Sequence, residues 1–98
     1  MNFPVVLRDE AQAELDDAFD YYEDLRIGMG ADLVARVQRV FDRIAANPKM
    51  HQIVLADVRR AVVTRFPYNV LYRADSSRIE VIAVFHTSRD PSIWQRRV

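Results

Sequence analysis

Apolar residues in the first half of the chain recur with a helical period. Ala11, Leu15, Ala18, Phe19, Tyr22 and Leu25 lie on one stripe of an amphipathic helix. Asp9 ahead of them, with Gln12 three positions on, has the spacing of a capping box. Gly28-Met29-Gly30 interrupts the pattern, and a second stripe follows at Leu33, Val37, Val40, Phe41 and Ile44 until Asn47-Pro48 ends it. Two such helices with a short joint predict an antiparallel hairpin. Before them, Phe3 to Leu7 is apolar and β-branched with a proline near its start, which predicts a short strand.

The period changes in the second half. Val58 to Phe66 alternates Arg59, Ala61, Val63 and Arg65 against Val58, Arg60, Val62 and Thr64. Phe66-Pro67 interrupts it, and Tyr68, Val70 and Tyr72 then alternate with Asn69, Leu71 and Arg73. Asp75-Ser76-Ser77 supplies turn chemistry. Ile79 to Phe85 is almost wholly apolar, the mark of a strand covered on both faces. These runs predict an antiparallel meander. Asp90-Pro91 then reads as a cap followed by proline at the first helical position of a short turn carrying Ile93 and Trp94. The predicted order is β-α-α-β-β-β, a two-layer α+β domain with the helix hairpin packed on an antiparallel sheet and a short C-terminal helical turn.

Composition limits the chemistry. Ninety-eight residues make one domain, 1–98. No cysteine is present, which excludes disulfides, thiolate zinc sites and thiol nucleophiles. Two histidines argue against a metal cage, and the two glycines, both between the helices, leave no phosphate loop. No cofactor is expected. No apolar run is long enough for a membrane span, and Met1 to Pro4 lacks the features of a secretion signal, so a cytoplasmic location is expected.

The net charge of zero hides a division. Residues 1–26 carry a balance of −6, residues 27–57 of +1 and residues 58–98 of +5. Lys49 is the only lysine; the other basic residues are arginines, whose planar fork suits bidentate contact with phosphates and carboxylates. The acidic positions of the first helix, Glu10, Glu14, Asp17, Asp20 and Glu23, read as a solvated face. The basic half reads differently. Arginines from several strands and the C-terminus, with His86, Tyr68, Tyr72 and Trp94, are the residue set of a nucleic-acid site. Arg59, Arg65 and Arg73 occupy strand positions that face either solvent or a concave sheet. His86, at the end of the apolar strand, suits general acid–base work, or equally a partly buried histidine bonded to backbone. Trp94 suits base stacking or core packing. Tyr68 and Tyr72 share a strand face and read as packing, His51 as incidental, and Arg96-Arg97 as a solvated tail.

The stretch from Arg59 to Arg73, with Arg65-Phe66-Pro67-Tyr68 and Tyr72-Arg73 at its centre, carries a resemblance. Together with the apolar strand after it and the ending from His86-Thr87-Ser88-Arg89-Asp90 to Trp94, it resembles the RelE/ParE toxins of type II toxin–antitoxin systems, and is closer to the ParE-like, plasmid-stabilisation branch. The helix hairpin and the length fit the same family. The resemblance implies a compact α+β toxin held inactive in a hetero-oligomer by a cognate antitoxin, whose C-terminal segment folds as it wraps the toxin. ParE-like members inhibit DNA gyrase and have no established catalytic residues. RelE-like members cleave mRNA on the ribosome.

For a gyrase inhibitor, the resemblance makes Arg59, Arg60, Arg73 and Trp94 the target-binding surface. For a RelE-like endonuclease, it makes Arg65 and Arg89 the phosphate and transition-state contacts and His86 the proton carrier. Trp94 stands where RelE has a tyrosine, and indole cannot exchange a proton as phenol does. The neutral charge is also unlike the strongly basic ribonucleases of the family. Both departures favour the ParE-like reading; an inactive or non-toxic binding module is a third.

Overall fold

The chain's first strand ends where a helix must begin, because Arg8 is extended and the residues after it carry the apolar stripe. In the computed structural model, which describes residues 2–98, β1 (Val5–Leu7) is followed by α1 (Asp9–Leu25) and α2 (Met29–Ala46). Arg8, not Asp9, is the N-cap, and no side chain caps the helix. Asp9 instead sits in the first turn, where its negative charge favours the positive end of the helix dipole.

The joint between the helices is held by one carboxylate. Glu23 accepts hydrogen bonds from the backbone N–H groups of Gly28, at 2.9 and 3.1 Å, and of Gly30, at 3.0 Å. It thereby satisfies N–H groups that the start of α2 leaves without helical partners. Gly28 has a φ of 90°, a conformation that glycine adopts without a Cβ clash. Gly30 serves a different need: a Cβ there would lie 2.7 Å from the carbonyl oxygen of Phe19 and 2.8 Å from its ring. The glycine lets α2 press directly on α1.

After α2 come β2 (Gln52–Leu55), β3 (Val58–Val62), β4 (Tyr68–Ala74), β5 (Ile79–His86) and α3 (Ser92–Gln95). The five strands form one sheet in the order β1-β5-β4-β3-β2. The antiparallel meander is present as β3-β4-β5. Two features go beyond the pattern reading. β2 is an added edge strand, antiparallel to β3. β1 joins the sheet parallel to β5, so the sheet is mixed. The parallel pairing follows from counting direction reversals. Two helices of similar length return the chain to the end where β1 finished, and four alternating strands then leave β5 running with β1.

β2 escapes pattern reading because it is four residues long and three of them are exposed, so it has no alternation. The loop joining it to β3 lacks glycine: Ala56 itself takes the left-handed conformation, with φ 50°. β3 is shorter than its alternating pattern because Arg65 also turns left-handed, with φ 71°, and the Val63 N–H closes the turn onto the Tyr68 carbonyl at 3.0 Å.

The sheet is apolar on both faces, as the sequence of β5 implies. One face carries Val70, Tyr72, Ile79, Val81 and Val84 against Ala11, Ala18, Leu33, Val37, Val40 and Ile44 of the helices. The other carries Val58, Leu71, Ile82, Ala83 and Phe85 against Trp94. A bulge makes this division possible: Leu71 pairs with Ala83 and Tyr72 with Val81, leaving Ile82 extra. Ile82 and Ala83 therefore point to the same side.

Tyr72 is fully buried, and its hydroxyl donates to the Pro48 carbonyl at 2.6 Å, tying the end of α2 to the sheet. Burial pushes that hydroxyl up to about 12 from an ordinary 10.0. Its contribution to stability is complete below pH 10.0 and is lost as pH rises toward about 12, because the unfolded chain gives up that proton first. Burial shifts Tyr22 and Tyr68 upward too, with the same sign. In chemical denaturation across this range, Tyr72→Phe is expected to show a flatter alkaline loss than the wild type. At neutral pH it should be less stable by about 0.5–1.5 kcal/mol, the net value of one hydrogen bond. Gly30→Ala is expected to lower the melting temperature. The clash with Phe19 costs about 1–3 kcal/mol against a helix-propensity gain of about 1 kcal/mol.

Candidate functional site

β1 has only three residues, and it pairs with Ile79, Glu80 and Val81 alone. The C-terminal half of β5 therefore has no strand on that side, and its backbone groups need other partners. Glu14 and Arg97 supply them. Glu14 Oε1 accepts the Val84 N–H at 3.2 Å, and Arg97 Nη1 donates to the Ile82 carbonyl at 3.2 Å. The two side chains pair with each other at 3.0 Å through both guanidinium nitrogens and are only 12% and 13% exposed. Hydrogen bonding to Glu14 raises the Arg97 guanidinium above its ordinary value. Arg8 completes the join, donating to the Arg97 carbonyl at 2.6 Å and to Glu80 at 3.1 Å. The expectations that the acidic face of α1 is solvated throughout and that Arg97 is tail are thus corrected for these two residues. Glu14 lies between Ala11 and Ala18, the two buried alanines that let α1 come close to the sheet. That spacing was the available signal.

Beyond this join, two grooves open on either side of the end of β5. One, of about 580 Å³, runs between α1 and β5 and includes Tyr21, Tyr68 and Glu14. The other, of about 290 Å³, lies beside α3 on the opposite face and includes Arg60, Asn69, Thr87 and Trp94. His86 and Arg89 line both. Four of the seven residues singled out from the sequence, His86, Arg89, Arg60 and Trp94, therefore meet in one place.

Their chemistry is largely taken up. The Nδ1 of His86 accepts the Ser88 N–H at 3.0 Å and lies 2.8 Å from the Ser88 hydroxyl. In the neutral ring the proton then sits on Nε2, so that atom offers a donor and no lone pair. The ring packs edge-on against Tyr68 at 5.1 Å. Burial raises the Tyr68 hydroxyl above its ordinary value. Arg89 Nη1 donates to Glu14 Oε2 at 2.7 Å, and its guanidinium carbon lies 4.4 Å from the centre of the Phe85 ring. Trp94 is 5% exposed and packs in the second core cluster, with its edge on the groove. Arg60 is exposed on β3 and makes no ion pair among the described residues.

The other three lie elsewhere. Arg59 donates to the carbonyls of His51 at 2.7 Å and Lys49 at 3.2 Å, holding the segment before β2. His51 in that segment is not wholly incidental: burial, then Arg43 and Arg59, hold its pKa below the usual value, and its ring stands edge-on to Tyr72 at 6.1 Å. Arg73 pairs with Asp57 at 2.9 Å and fastens the β2–β3 loop. Arg65 lines a separate depression beside α2 with Arg26, Arg36 and Arg39. At the start of α3, Asp90 accepts the Ser92 N–H at 3.0 Å, which holds its carboxyl below the ordinary range. Pro91, not Asp90, is the N-cap of α3, and no side chain caps the helix; Asp90 bonds to Ser92 from the residue before the cap. Among the described residues, no group of three or more histidine or carboxylate side chains is placed to hold a metal ion, and no helix is long and apolar enough to cross a membrane.

A family model described as the ParE toxin of the type II toxin–antitoxin system parDE matches residues 5–91. Among solved structures, a chain of the chromosomal ParDE TA system from P. aeruginosa superposes with a TM-score of 0.76. It is 18% identical, and the alignment covers 88% of this chain and 97% of that one, a likeness of fold. No curated protein matches in sequence.

Removing the Glu14 carboxylate leaves two guanidinium groups and a backbone N–H without their acceptor. Glu14→Ala is expected to cost about 2–4 kcal/mol in urea denaturation, between the value of a charged hydrogen bond and that of a broken buried pair. The double variant Glu14→Leu/Arg97→Met should recover part of that loss, since no charge is then stranded.

Proposed function

Because the chain belongs to the ParE toxin family of type II toxin–antitoxin systems, we propose that it acts by binding and inhibiting DNA gyrase, and that a cognate antitoxin neutralises it in a hetero-oligomer. The observation that carries the choice of target is the engagement of the groups a nuclease would need. An RNase that uses the 2′-hydroxyl requires a base, an acid and free cations around one phosphate. Here Nδ1 of His86 is occupied by the Ser88 N–H, Arg89 is paired to Glu14, and Arg65 lines another depression. A binding surface has no such requirement. Exposed Arg60, the partly exposed Arg89 and the edge of Trp94 border one groove and suit contact with an acidic or polar protein surface. Arg59 and Arg73 contribute by shaping the strands beside it.

The antitoxin has exposed apolar surface to cover. Tyr21, Leu25 and Ile27 at the end of the helix hairpin are 59%, 60% and 92% exposed, and Val6, Ile53 and Leu55 lie on the two edge strands. A segment that folds along the hairpin and a sheet edge would bury them. The location of action in this reading is the cytoplasm, where gyrase and the antitoxin both work.

Pulse labelling just after induction separates the targets. DNA synthesis is expected to fail first while translation continues, and His86→Ala should keep its toxicity within about twofold. Protein synthesis stopping first, with His86→Ala, Arg89→Ala and Arg65→Ala each losing toxicity by orders of magnitude, would assign the RelE-like endonuclease reading instead. Unimpaired growth with wild-type protein present would indicate an inactive binding module. Addition of the antitoxin is expected to raise the melting temperature of the purified toxin in a concentration-dependent way.

A further inference from the structure

The arginines divide by partner. Arg8, Arg73, Arg89 and Arg97 form ion pairs, and Arg59 is bound to backbone carbonyls. Of the others, which form no ion pair among the described residues, Arg26, Arg36, Arg39, Arg43 and Arg65 are neighbours, whereas Arg60, Arg78 and Arg96 lie elsewhere. Arg36, half-buried, and the exposed Arg39 and Arg43 stand at spacings of three and four along α2, one row about 10 Å long at the helical rise. Two adjoining depressions flank the row. One, of about 360 Å³, adds Arg26 and Arg65; the other, of about 390 Å³, adds Thr64, whose hydroxyl Arg36 meets at 3.3 Å. Only Asp32 and Asp42 oppose this charge, so the patch carries an excess of three.

Arg65 supplies an independent sign. Its φ of 71° is unfavourable for a residue with a Cβ, and glycine would adopt it freely. An arginine held there presents its guanidinium to the depression it shares with Arg26, Arg36 and Arg39. Strained backbone of this kind clusters at functional positions.

We propose that the outer face of α2, with the Thr64–Arg65 turn, binds the phosphate backbone of a nucleic-acid duplex. Guanidinium groups match phosphate oxygens bidentately, and a two-dimensional patch of five meets several phosphates together. A protein partner would use large apolar anchors, but the large apolar side chains here are Met29 and Phe66, and Phe66 packs into the core against Tyr22 at 5.1 Å. No exposed aromatic lines either depression, so the patch has no stacking platform for single strands. This face is separate from the groove at His86 and Trp94, and the proposal does not depend on gyrase. Gyrase inhibition without duplex binding would defeat this proposal alone, and duplex binding without gyrase inhibition would defeat only the other.

The test is fluorescence anisotropy with the full chain and labelled duplexes of arbitrary sequence, one of DNA and one of RNA. Single strands and polyglutamate serve as alternative probes. Duplex binding should be micromolar at moderate salt and fall with a log–log slope of about −4, one unit per phosphate neutralised. Arg36→Gln/Arg39→Gln/Arg43→Gln should weaken it at least about tenfold and reduce the slope by about 3, while Arg78→Gln, on the β4–β5 turn, should leave it unchanged. Arg65→Gly should weaken duplex binding without lowering the melting temperature, since glycine suits that backbone; this variant keeps the test open if the triple variant folds poorly. Binding to either duplex supports the proposal. No duplex binding by the wild type, equal binding by the triple and Arg65→Gly variants, or tighter binding to single strands or polyglutamate than to both duplexes would overturn it.

Discussion

A three-residue first strand leaves half of β5 without a neighbour on one side, and much of the molecule is arranged around meeting that deficit. An unpaired sheet edge exposes backbone donors and acceptors that must be satisfied or left to another chain. Glu14 from α1 and Arg97 from the last residues take up two of these groups and, by pairing, join the first helix and the C-terminus to β5. Arg8 adds a third connection between the beginning and the end of the chain. The same carboxylate holds Arg89, so the edge repair also shapes the wall shared by the two grooves. In this small domain the structural join and the candidate contact surface are one hydrogen-bonded unit.

The arginines follow from the same logic. Where a guanidinium meets a carboxylate or a row of carbonyls, it fixes geometry: Arg97 at the edge, Arg73 at the β2–β3 loop, Arg59 at the segment before β2. Where it pairs with none, as along α2 and at Arg60, the charge is left for other contacts. The neutral total therefore conceals two kinds of positive charge, one built into the fold and one directed at partners. Burial of Trp94 belongs to the first kind of use: the indole closes the sheet's second face and leaves only an edge at the surface.

The helix hairpin, the meander, the double-sided burial of β5 and the short C-terminal helical turn were legible in the sequence. Each rests on local signals, periodicity and turn chemistry, carried by the residues that form the element. β2 was not legible, because its four residues lack alternation and its loop is an alanine in a left-handed conformation. Nor was the length of β3, which ends where Arg65 turns, against its residue preference. The site was legible in half. His86, Arg89, Arg60 and Trp94 come together at the end of β5, whereas Arg59, Arg65 and Arg73 share their alternating pattern but not their location.

The sequence by itself determined the helices, the first strand and the meander, which faces are apolar, and the family likeness carried by Arg59 to Arg73 and the ending at Trp94. Only the tertiary structure decided what each charged side chain does. Glu14 sits in an acidic stripe and Arg97 in a basic tail, and neither pattern reveals that the helix, the strand edge and the C-terminus converge. The register bulge at Ile82 and the parallel placement of β1 are likewise properties of the assembled sheet. Periodicity reports the environment of a side chain relative to its own element, whereas an ion pair or a strand edge depends on where two distant elements meet.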